Sequence, residues 1–230
     1  MQGSRHPLSH TIRELYDIFS RMGFGIDTGP EVETEYYNFD ALNMPGDHPA
    51  RDMQDTFFVE DGRVLRTHTS PVQIHHMEDR EPPIRTLVAG RVYRNEATDA
   101  THEAQFHQVE GLVVDKGITL AHLKTTLQQA LSAYFGKEMA LRFRPSYFPF
   151  VEPGVEVDVW WETGKGEGRW LEVLGGGMVH PSVLSSGGID AREYTGFAFG
   201  VGLERLAMLK YGIDDTRRFC HPDVRMINQF

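Results

Sequence analysis

Apolar side chains recur at helical spacing near the start of the chain. The positions that would share one face are Leu8, Ile12, Leu15, Phe19 and Met22. Such spacing is typical of an amphipathic helix with one buried face. Ser9 is a candidate N-cap and Gly23 a stop signal, so the pattern predicts a helix over residues 8–22.

Three further segments carry helical patterns. Ser70-Pro71 has the form of an N-cap followed by proline at the first helical position, which predicts a short helix to Met77. A longer helix is expected between Thr119 and Gly136, and its apolar face would be formed by Leu120, Leu123, Leu127, Leu131 and Tyr134. A fourth helix is expected over residues 201–211, ending at Gly212.

The remaining apolar runs read as strands. Residues 56–60 and 63–67 flank Asp61-Gly62, a pair that favours a two-residue hairpin turn. Longer runs cover residues 84–95 and 104–114, and shorter ones cover 155–159, 170–174 and 195–199. Consecutive hairpins with helices between them predict an α+β fold, in which helices flank an antiparallel sheet. No linker or repeat divides the chain, so residues 1–230 are expected to form a single domain.

Composition narrows the class of protein. The 230 residues carry 33 acidic and 23 basic side chains, which gives a formal charge of −10. Such a chain can bind a polyanion only through a local patch. The single Cys220 excludes a disulfide framework and a multi-cysteine zinc site. Without a run of about 20 apolar residues or a signal peptide, the expectation is a soluble, cytoplasmic protein that does not enter a membrane.

Charged and aromatic residues alternate along the expected hairpin of residues 91–110. Arg94 and Glu96 would point to one side of a strand, and Phe106, Gln108 and Glu110 to one side of the returning strand. A core hairpin would not bury so many polar groups without partners. A ligand cleft accounts for the pattern, and the alternative is a salt-bridged sheet surface with one stray phenylalanine.

A second candidate anion site lies where the strand of residues 195–199 leads into the fourth helix. The strand ends in Gly200-Val201-Gly202 and becomes the helix, whose free amides and dipole favour an anion. Arg205 stands where a dinucleotide fingerprint requires its third glycine, so that motif is excluded. Arg205 is suited to a phosphate. The alternative partner is a neighbouring carboxylate.

Residues 144–154 read as a rigid loop, because Pro145 and Pro149 restrict its backbone. Phe148 and Phe150 would line a pocket for another ring, or alternatively pack the loop into the core.

His68 and Ser70 precede a helix and offer polar groups to a ligand, although capping alone would explain Ser70. Two pairs of histidines, His75-His76 and His102/His107, have no third ligand at the spacing that a metal site requires.

In this order, the segments resemble the class II aminoacyl-tRNA synthetases and, among these, the catalytic core of the phenylalanyl-tRNA synthetase α subunits. Residues 8–33 are similar to that class's motif 1, residues 91–111 to motif 2 and residues 196–210 to motif 3. Phenylalanyl-specific segments lie between them, at residues 38–43, 48–52, 67–70, 106–111 and 148–154. The resemblance covers almost the whole chain, and it implies one catalytic domain built on the class II antiparallel sheet.

The resemblance also implies an activity. Phenylalanine and ATP, with Mg²⁺, would give phenylalanyl-adenylate, and the amino acid would then pass to the 3′ end of tRNA. The catalytic residues would be Arg94 and Arg205. The ATP site would comprise Arg94, Glu96, His102, Phe106 and Arg205. The amino-acid site would comprise His68, Ser70, Gln108, Glu110, Phe148, Phe150, Val151 and Ala198. The candidate magnesium ligands are Glu152 and Glu172.

Partners follow from the same resemblance. The family's α subunits act with a β subunit, and the motif 1 helix usually forms a subunit interface, so either a β subunit or self-association through residues 8–22 is expected. Those α subunits also carry an N-terminal helical arm that contacts tRNA, and the similarity here begins almost at Met1, without that arm. The alternatives are a non-catalytic paralogue that acts as a binding or regulatory subunit, and the same fold activating a different amino acid.

Overall fold

A computed structural model of the chain describes residues 4–44, 46–47, 56–100, 102–164, 167–220 and 223–230. The segment 48–52, which contributed to the resemblance, lies outside the described residues. The strands are β1 (Gly25–Asp27), β2 (Val32–Glu33), β3 (Val64–Leu65), β4 (Ile84–Tyr93), β5 (Gln105–Asp115), β6 (Leu141–Phe148), β7 (Val151–Gly164), β8 (Glu167–Val179) and β9 (Thr195–Gly202). The α-helices are α1 (Pro7–Arg21), α2 (Glu35–Asn38), α3 (Pro71–Asp79), α4 (Leu120–Phe135), α5 (Pro181–Ser186), α6 (Leu203–Tyr211) and α7 (Val224–Ile227). Short 3₁₀ turns cover Asp40–Leu42 and Thr216–Phe219.

The main sheet has seven strands in the order β1-β4-β5-β9-β8-β7-β6, and β2 pairs with β3 separately. β1 runs parallel to β4, whereas the other neighbours in the main sheet are antiparallel. The α+β prediction of an antiparallel sheet flanked by helices is therefore confirmed. In the described part of the chain, no helix is long and apolar enough to cross a membrane.

Side-chain alternation buries both faces of the sheet. On β9, Phe197 and Phe199 belong to one hydrophobic cluster and Ala198 to the other. The first cluster packs against α1, α4 and α6, and the second against the 3₁₀ turn Asp40–Leu42, α3 and α5. The sheet is thus the middle layer of the fold, and a ligand can enter only where one covering layer is interrupted.

Most predicted helices form with small shifts at their ends. The first helix starts at Pro7 with His6 as its N-cap, so Ser9 is not the cap: the His6 ring nitrogen accepts the N–H of Leu8 at 3.2 Å. The fourth starts at Leu203, because Val201 is still paired to Val109 in the sheet. The helices expected after Ser70 and Thr119 form as α3 and α4.

Two expectations about strands were wrong. The hairpin near Asp61 closes with a three-residue loop, since Val59 N–H donates to the Arg63 carbonyl at 2.8 Å. Gly62 supplies the left-handed residue of this loop, at φ 81°. The expected loop of residues 144–154 is a hairpin, in which β6 and β7 pair on either side of the turn at Pro149 and Phe150. Pro145 is tolerated within β6, because β6 is an edge strand.

Gly111 on β5 shows how tightly the first cluster is packed. A Cβ added there would lie 2.3 Å from the Phe199 ring. We expect Gly111→Ala to lower the free energy of unfolding by about 1–3 kcal/mol, because the ring cannot move without disturbing the core. Chemical denaturation would measure it. The matched strand substitution Gly25→Ala, whose Cβ would lie 3.6 Å from the nearest heavy atom, should be close to neutral. Equal losses in both variants would contradict this packing argument.

Candidate active site

A cavity of about 1120 Å³ lies where β5, β8 and β9 meet the turn between β6 and β7. Its apolar end is built from residues of the second cluster, among them Leu42, Val183 and Ala198. The predicted site residues that line it are His68, Ser70, Arg94, Glu96, His102, Phe106, Gln108, Glu110, Phe148, Phe150, Glu172, Ala198 and Arg205. Residues from distant parts of the sequence thus meet around one space.

Two predicted site residues lie elsewhere. Val151 is only 3% exposed and packs in the second cluster, where it pairs with Phe148 across the β6–β7 turn. It therefore lies behind the ring pocket. Glu152 follows it and is directed away from that cluster, with 77% of its side chain exposed and its carboxylate 3.5 Å from His180. Glu152 is not among the residues that line the cavity.

Glu110 brings a buried carboxylate to the cavity wall. One of its oxygens accepts from the Ser70 hydroxyl and from the Gln73 amide, each at 2.7 Å, and the other accepts from Thr69 N–H at 3.1 Å. Burial raises the pKa of Glu110, and the hydrogen bonds from Ser70 and Thr69 oppose that shift. Three donors favour the ionised form, so Glu110 is suited to receive a cationic group. The Ser70 hydroxyl is used in this contact and caps no helix.

Unpaired polar groups lie beside this carboxylate. Both ring nitrogens of His68 are buried without a hydrogen-bond partner among the described residues, and so is the side-chain oxygen of Gln108. Burial, and secondarily the charge of Arg94, lower the pKa of His68 to about 3. His68 is therefore neutral at physiological pH, with one donor and one acceptor. Buried groups of this kind are normally satisfied, so their place on a cavity wall points to a polar ligand.

The opposite part of the cavity is cationic and aromatic. The Arg94 guanidinium lies 5.0 Å from the centroid of the Phe106 ring, within cation–π range. Its Nε donates to the carbonyl of Thr67 at 3.2 Å. Arg205 is held by the carbonyl of Glu172 at 3.2 Å, rather than by a carboxylate. Both guanidiniums therefore keep donors for an anion.

The loop between β4 and β5 adds His102. Its backbone N–H donates to the Asp99 carboxylate at 2.8 Å, and its Nδ1 lies 3.0 Å from the same group. Thr216, which lies outside this loop, fixes it with a hydrogen bond of 2.9 Å from its backbone N–H to the carbonyl of Ala100. His102 thus lines the cavity from a loop with defined internal contacts.

Carboxylates of β7 and β8 form the rim beside Arg205. Arg144 bridges three of them, at 2.8 Å from Glu156, 2.8 Å from Asp158 and 3.3 Å from Glu172. Asp158 is buried, and its hydrogen bonds with Arg144 hold the pKa of that carboxyl below its usual range. Glu156 and Glu172 line the cavity. The rim therefore offers two carboxylates whose orientation is set by one guanidinium.

Known proteins resemble this chain along its whole length. The family model described as tRNA synthetases class II core domain (F) matches residues 1–230. The phenylalanine–tRNA ligase alpha subunit of Synechocystis sp. is 57% identical over 229 residues, which cover 100% of this chain and 68% of the relative. The alpha subunits from Xylella fastidiosa and Stenotrophomonas maltophilia are each 55% identical, over 100% and 98% of this chain and 68% of each relative. The chain belongs to the phenylalanine–tRNA ligase alpha subunit family of class II tRNA synthetases.

The two stretches that resemble motifs 2 and 3 of the class occupy adjacent parts of this sheet. The stretch of residues 91–111 covers the end of β4, the loop and most of β5, and the stretch of residues 196–210 covers β9 and α6. β5 and β9 are neighbours, so the two stretches lie side by side. They are also joined by Glu204 on α6, whose carboxylate accepts the backbone N–H of His107 at 3.0 Å. The class II synthetase fold thus brings Arg94 and Arg205 to one cavity.

The carboxylates of this synthetase core fit a metal only in part. In the described ranges, no group of three or more histidine, cysteine or acidic side chains is placed to hold an ion. Mg²⁺ is usually bound by one or two carboxylates together with substrate phosphates, and Glu156 and Glu172 could serve in that way.

Several cavity residues were missed by sequence reasoning. Gln73, Glu156 and Tyr147 line the cavity, and Arg144 orients its rim. The alternation Val155-Glu156-Val157-Asp158 was a usable signal, since it places both carboxylates on the face opposite the valines. Gln73 carried a weaker signal: it follows Ser70 by one turn of a helix.

The buried neutral His68 predicts a pH dependence of stability. Because its pKa is lower in the folded than in the unfolded protein, the unfolded protein binds the extra proton as the pH falls below about 6.5, and stability is lost. The expected contribution between pH 7 and pH 5 is about 2 kcal/mol. Urea denaturation of wild type and His68→Gln over this range should show a shallower dependence for the variant. Above pH 7.5 the two curves should run parallel, and identical slopes throughout would contradict the prediction.

Proposed function

We propose that this chain is a single catalytic domain that activates phenylalanine with ATP, forming phenylalanyl-adenylate and pyrophosphate, and transfers the amino acid to the 3′ end of tRNA. The observation that carries the proposal is the cavity itself. It combines two guanidiniums and an aromatic ring at one part with a buried carboxylate and an apolar pocket at the other. A triphosphate and a zwitterionic aromatic amino acid together have this distribution of charge and surface.

Arg94 has the central role in the proposed chemistry. Adenylation requires the amino-acid carboxylate to attack the α-phosphorus, which brings two anions together. Arg94 contacts the Phe106 ring and the carbonyl of Thr67, the residue before His68. From this position its guanidinium can hold the α-phosphate and stabilise the charge that develops. No covalent enzyme intermediate is needed, because orientation and fixed charges supply the rate enhancement.

The rest of the nucleotide is assigned by position in the cavity. Phe106 and Arg205 would bind the adenine, and Arg205 and His102 the outer phosphates, with Glu96 beside the nucleotide. Glu172, together with Glu156, would hold Mg²⁺ through the phosphates. The ion would neutralise phosphate charge. Glu152 is left out of this assignment, because its side chain is outside the cavity.

The amino acid is assigned to the other part of the cavity. Glu110 would bind the ammonium group, with Ser70 and Gln108 beside it, and neutral His68 would donate to the carboxylate. The ring would lie against Phe148 and Phe150, whose centroids are 5.9 Å apart, and against Ala198. Val151 would support this pocket from behind. The apolar lining favours an aromatic side chain over a charged one.

The proposal includes a second subunit. The relatives are named alpha subunits, so we infer that a beta subunit or a second copy completes the enzyme. In this chain the apolar face of α1 is already used, because Leu8, Leu15 and Phe19 are buried against α4 and α6. A partner would therefore contact the outer side of α1, which carries Arg13 and Asp17.

ATP–pyrophosphate exchange with each of the twenty amino acids tests the activity. We expect exchange with phenylalanine, and a loss of about 10²–10³-fold in kcat for Arg94→Ala, the size seen when one preorganised donor is removed. Arg192→Ala is the matched control, since 92% of the Arg192 side chain is exposed and it pairs with Asp190. Exchange with a different amino acid would indicate that the same fold activates another substrate. No exchange with any, in the presence of a partner subunit, would indicate a non-catalytic paralogue.

Ala198 tests the position of the ring pocket. Its side chain is 7% exposed and lines the apolar end of the cavity. Removing the methyl group in Ala198→Gly should raise kcat/KM for para-chlorophenylalanine relative to phenylalanine by about tenfold or more, the usual effect of one methyl group in an apolar pocket. The control is Ala89→Gly on β4, which has the same cost to the strand but lies outside the cavity. An unchanged ratio would show that Ala198 does not bound the ring.

A further inference from the structure

One short segment contacts both walls of the proposed amino-acid pocket. It begins at Asn38, the last residue of α2, continues through the 3₁₀ turn Asp40–Leu42 and ends at Asn43. We call it the 38–43 segment. Its apolar residues Phe39, Ala41 and Leu42 are at most 2% exposed and belong to the second cluster, and Leu42 also lines the cavity. The segment is therefore fixed at the base of the pocket.

Asn38 holds the first wall. Its side-chain amide donates to the Thr67 hydroxyl at 3.1 Å, and its side-chain oxygen accepts Thr67 N–H at 3.2 Å. Both residues are fully buried. Thr67 directly precedes His68, and its carbonyl accepts from Arg94. The pair thus fixes the backbone from which His68 and Ser70 reach the cavity.

Asn43 holds the second wall. Its side-chain amide donates to the carbonyl of Pro149 at 2.7 Å, across 106 positions of sequence. Pro149 lies in the turn between Phe148 and Phe150, so this bond fixes the turn that presents both rings. Asn43 has φ 62° and ψ 31°, in the left-handed region that asparagine tolerates better than most residues. In that conformation the backbone turns at the end of the segment, and the side chain remains free to reach Pro149.

The two walls face each other across the pocket. The ring centroids of His68 and Phe150 are 6.2 Å apart, with an angle of 46° between the rings. His68 belongs to the wall held by Asn38, and Phe150 to the wall held by Asn43. Since one rigid segment carries both asparagines, the separation of the walls is set by that segment.

We propose that Asn43 is a positioning residue that determines the affinity for phenylalanine and the selectivity for its ring, by fixing the Phe148–Phe150 turn at a set distance from His68. This inference rests on the proposed function, because it takes the ring pocket as the phenylalanine site. Asn43 acts through the turn, whereas ATP is assigned to Arg94, Phe106 and Arg205 in another part of the cavity. A defect at Asn43 should therefore affect the amino acid and spare the nucleotide.

Two substitutions remove the amide donor without forcing the backbone. Asn43→Gly tolerates the left-handed conformation and loses one hydrogen bond, so KM for phenylalanine should rise about fivefold. Asn43→Asp keeps the shape but places a carboxylate against the Pro149 carbonyl, so the rise should exceed about tenfold. In both variants KM for ATP should stay within about twofold of wild type. Asn228→Asp, at an exposed position after α7, controls for the change of charge.

The measurements are exchange kinetics and calorimetric titrations of the full chain assembled with its partner subunit. Phenylalanine and leucine are titrated in parallel, and thermal unfolding of each variant is recorded. The preference for phenylalanine over leucine should fall in both Asn43 variants, because a mobile turn no longer selects a planar ring. A purely structural role would lower the melting temperature while leaving the two amino-acid affinities in their wild-type ratio, and that result overturns the inference. So does an unchanged KM for phenylalanine, or an equal rise in KM for ATP.

A wild-type chain that binds phenylalanine without exchanging overturns the proposed catalysis alone, and the Kd values then decide the role of Asn43. Failure of the wild type to bind phenylalanine overturns both.

Discussion

The site depends on the hydrogen bonds that surround the buried carboxylate of Glu110. It lies on a central strand, and its hydrogen bonds with Thr69, Ser70 and Gln73 attach the start of α3 to that strand. Burying a charge is unfavourable unless donors surround it, so the sheet and the helix start must adopt one relative position. The same position brings His68 and Arg94 to the cavity. The packing of α3 on the sheet and the shape of the cavity wall therefore depend on the same carboxylate.

The cavity separates opposite charges over a short range. Arg94 and Arg205 keep free donors because their observed acceptors are backbone carbonyls, whereas Glu156 and Glu172 share Arg144. This local order gives a chain with a formal charge of −10 a cationic part of one cavity. Fixed groups at short distances dominate over the net field of the molecule, which is screened beyond about 10 Å.

The sequence predicted the parts of this structure that follow from periodicity. The helices that form α1 and α4, and the pairing of β4 with β5, were visible because each buries one regular face. The segment containing Pro145 and Pro149 was misread as a loop, because its strand character depends on an edge position that sequence does not show. The locations of Val151 and Glu152 were missed for a related reason: which face of β7 points to the cavity is decided by pairing with β6 and β8.

Residues that act through other residues were the hardest to find. Arg144 and Asn43 contact partners far away in sequence, and neither belongs to a periodic pattern. The phenylalanyl-specific segment 38–43 was recognised by resemblance, yet its role as a brace between two walls required the hydrogen bonds of Asn38 and Asn43. Motif reading thus located the residues at the cavity, and the contacts behind them came only from the fold.

The position of β9 has a consequence for biosynthesis. This strand comes late in the chain, at Thr195–Gly202, yet it lies between β5 and β8 in the middle of the sheet. Until the residues of β9 have been synthesised, the strand order leaves the hydrogen-bonding edges of β5 and β8 without the strand that joins them. Arg205 lies in the first turn of α6, which follows β9, so the cationic part of the cavity is complete only when β9 joins the two sides of the sheet. Closure of the sheet and completion of the cationic part of the cavity thus both depend on the last strand of the sheet to be synthesised.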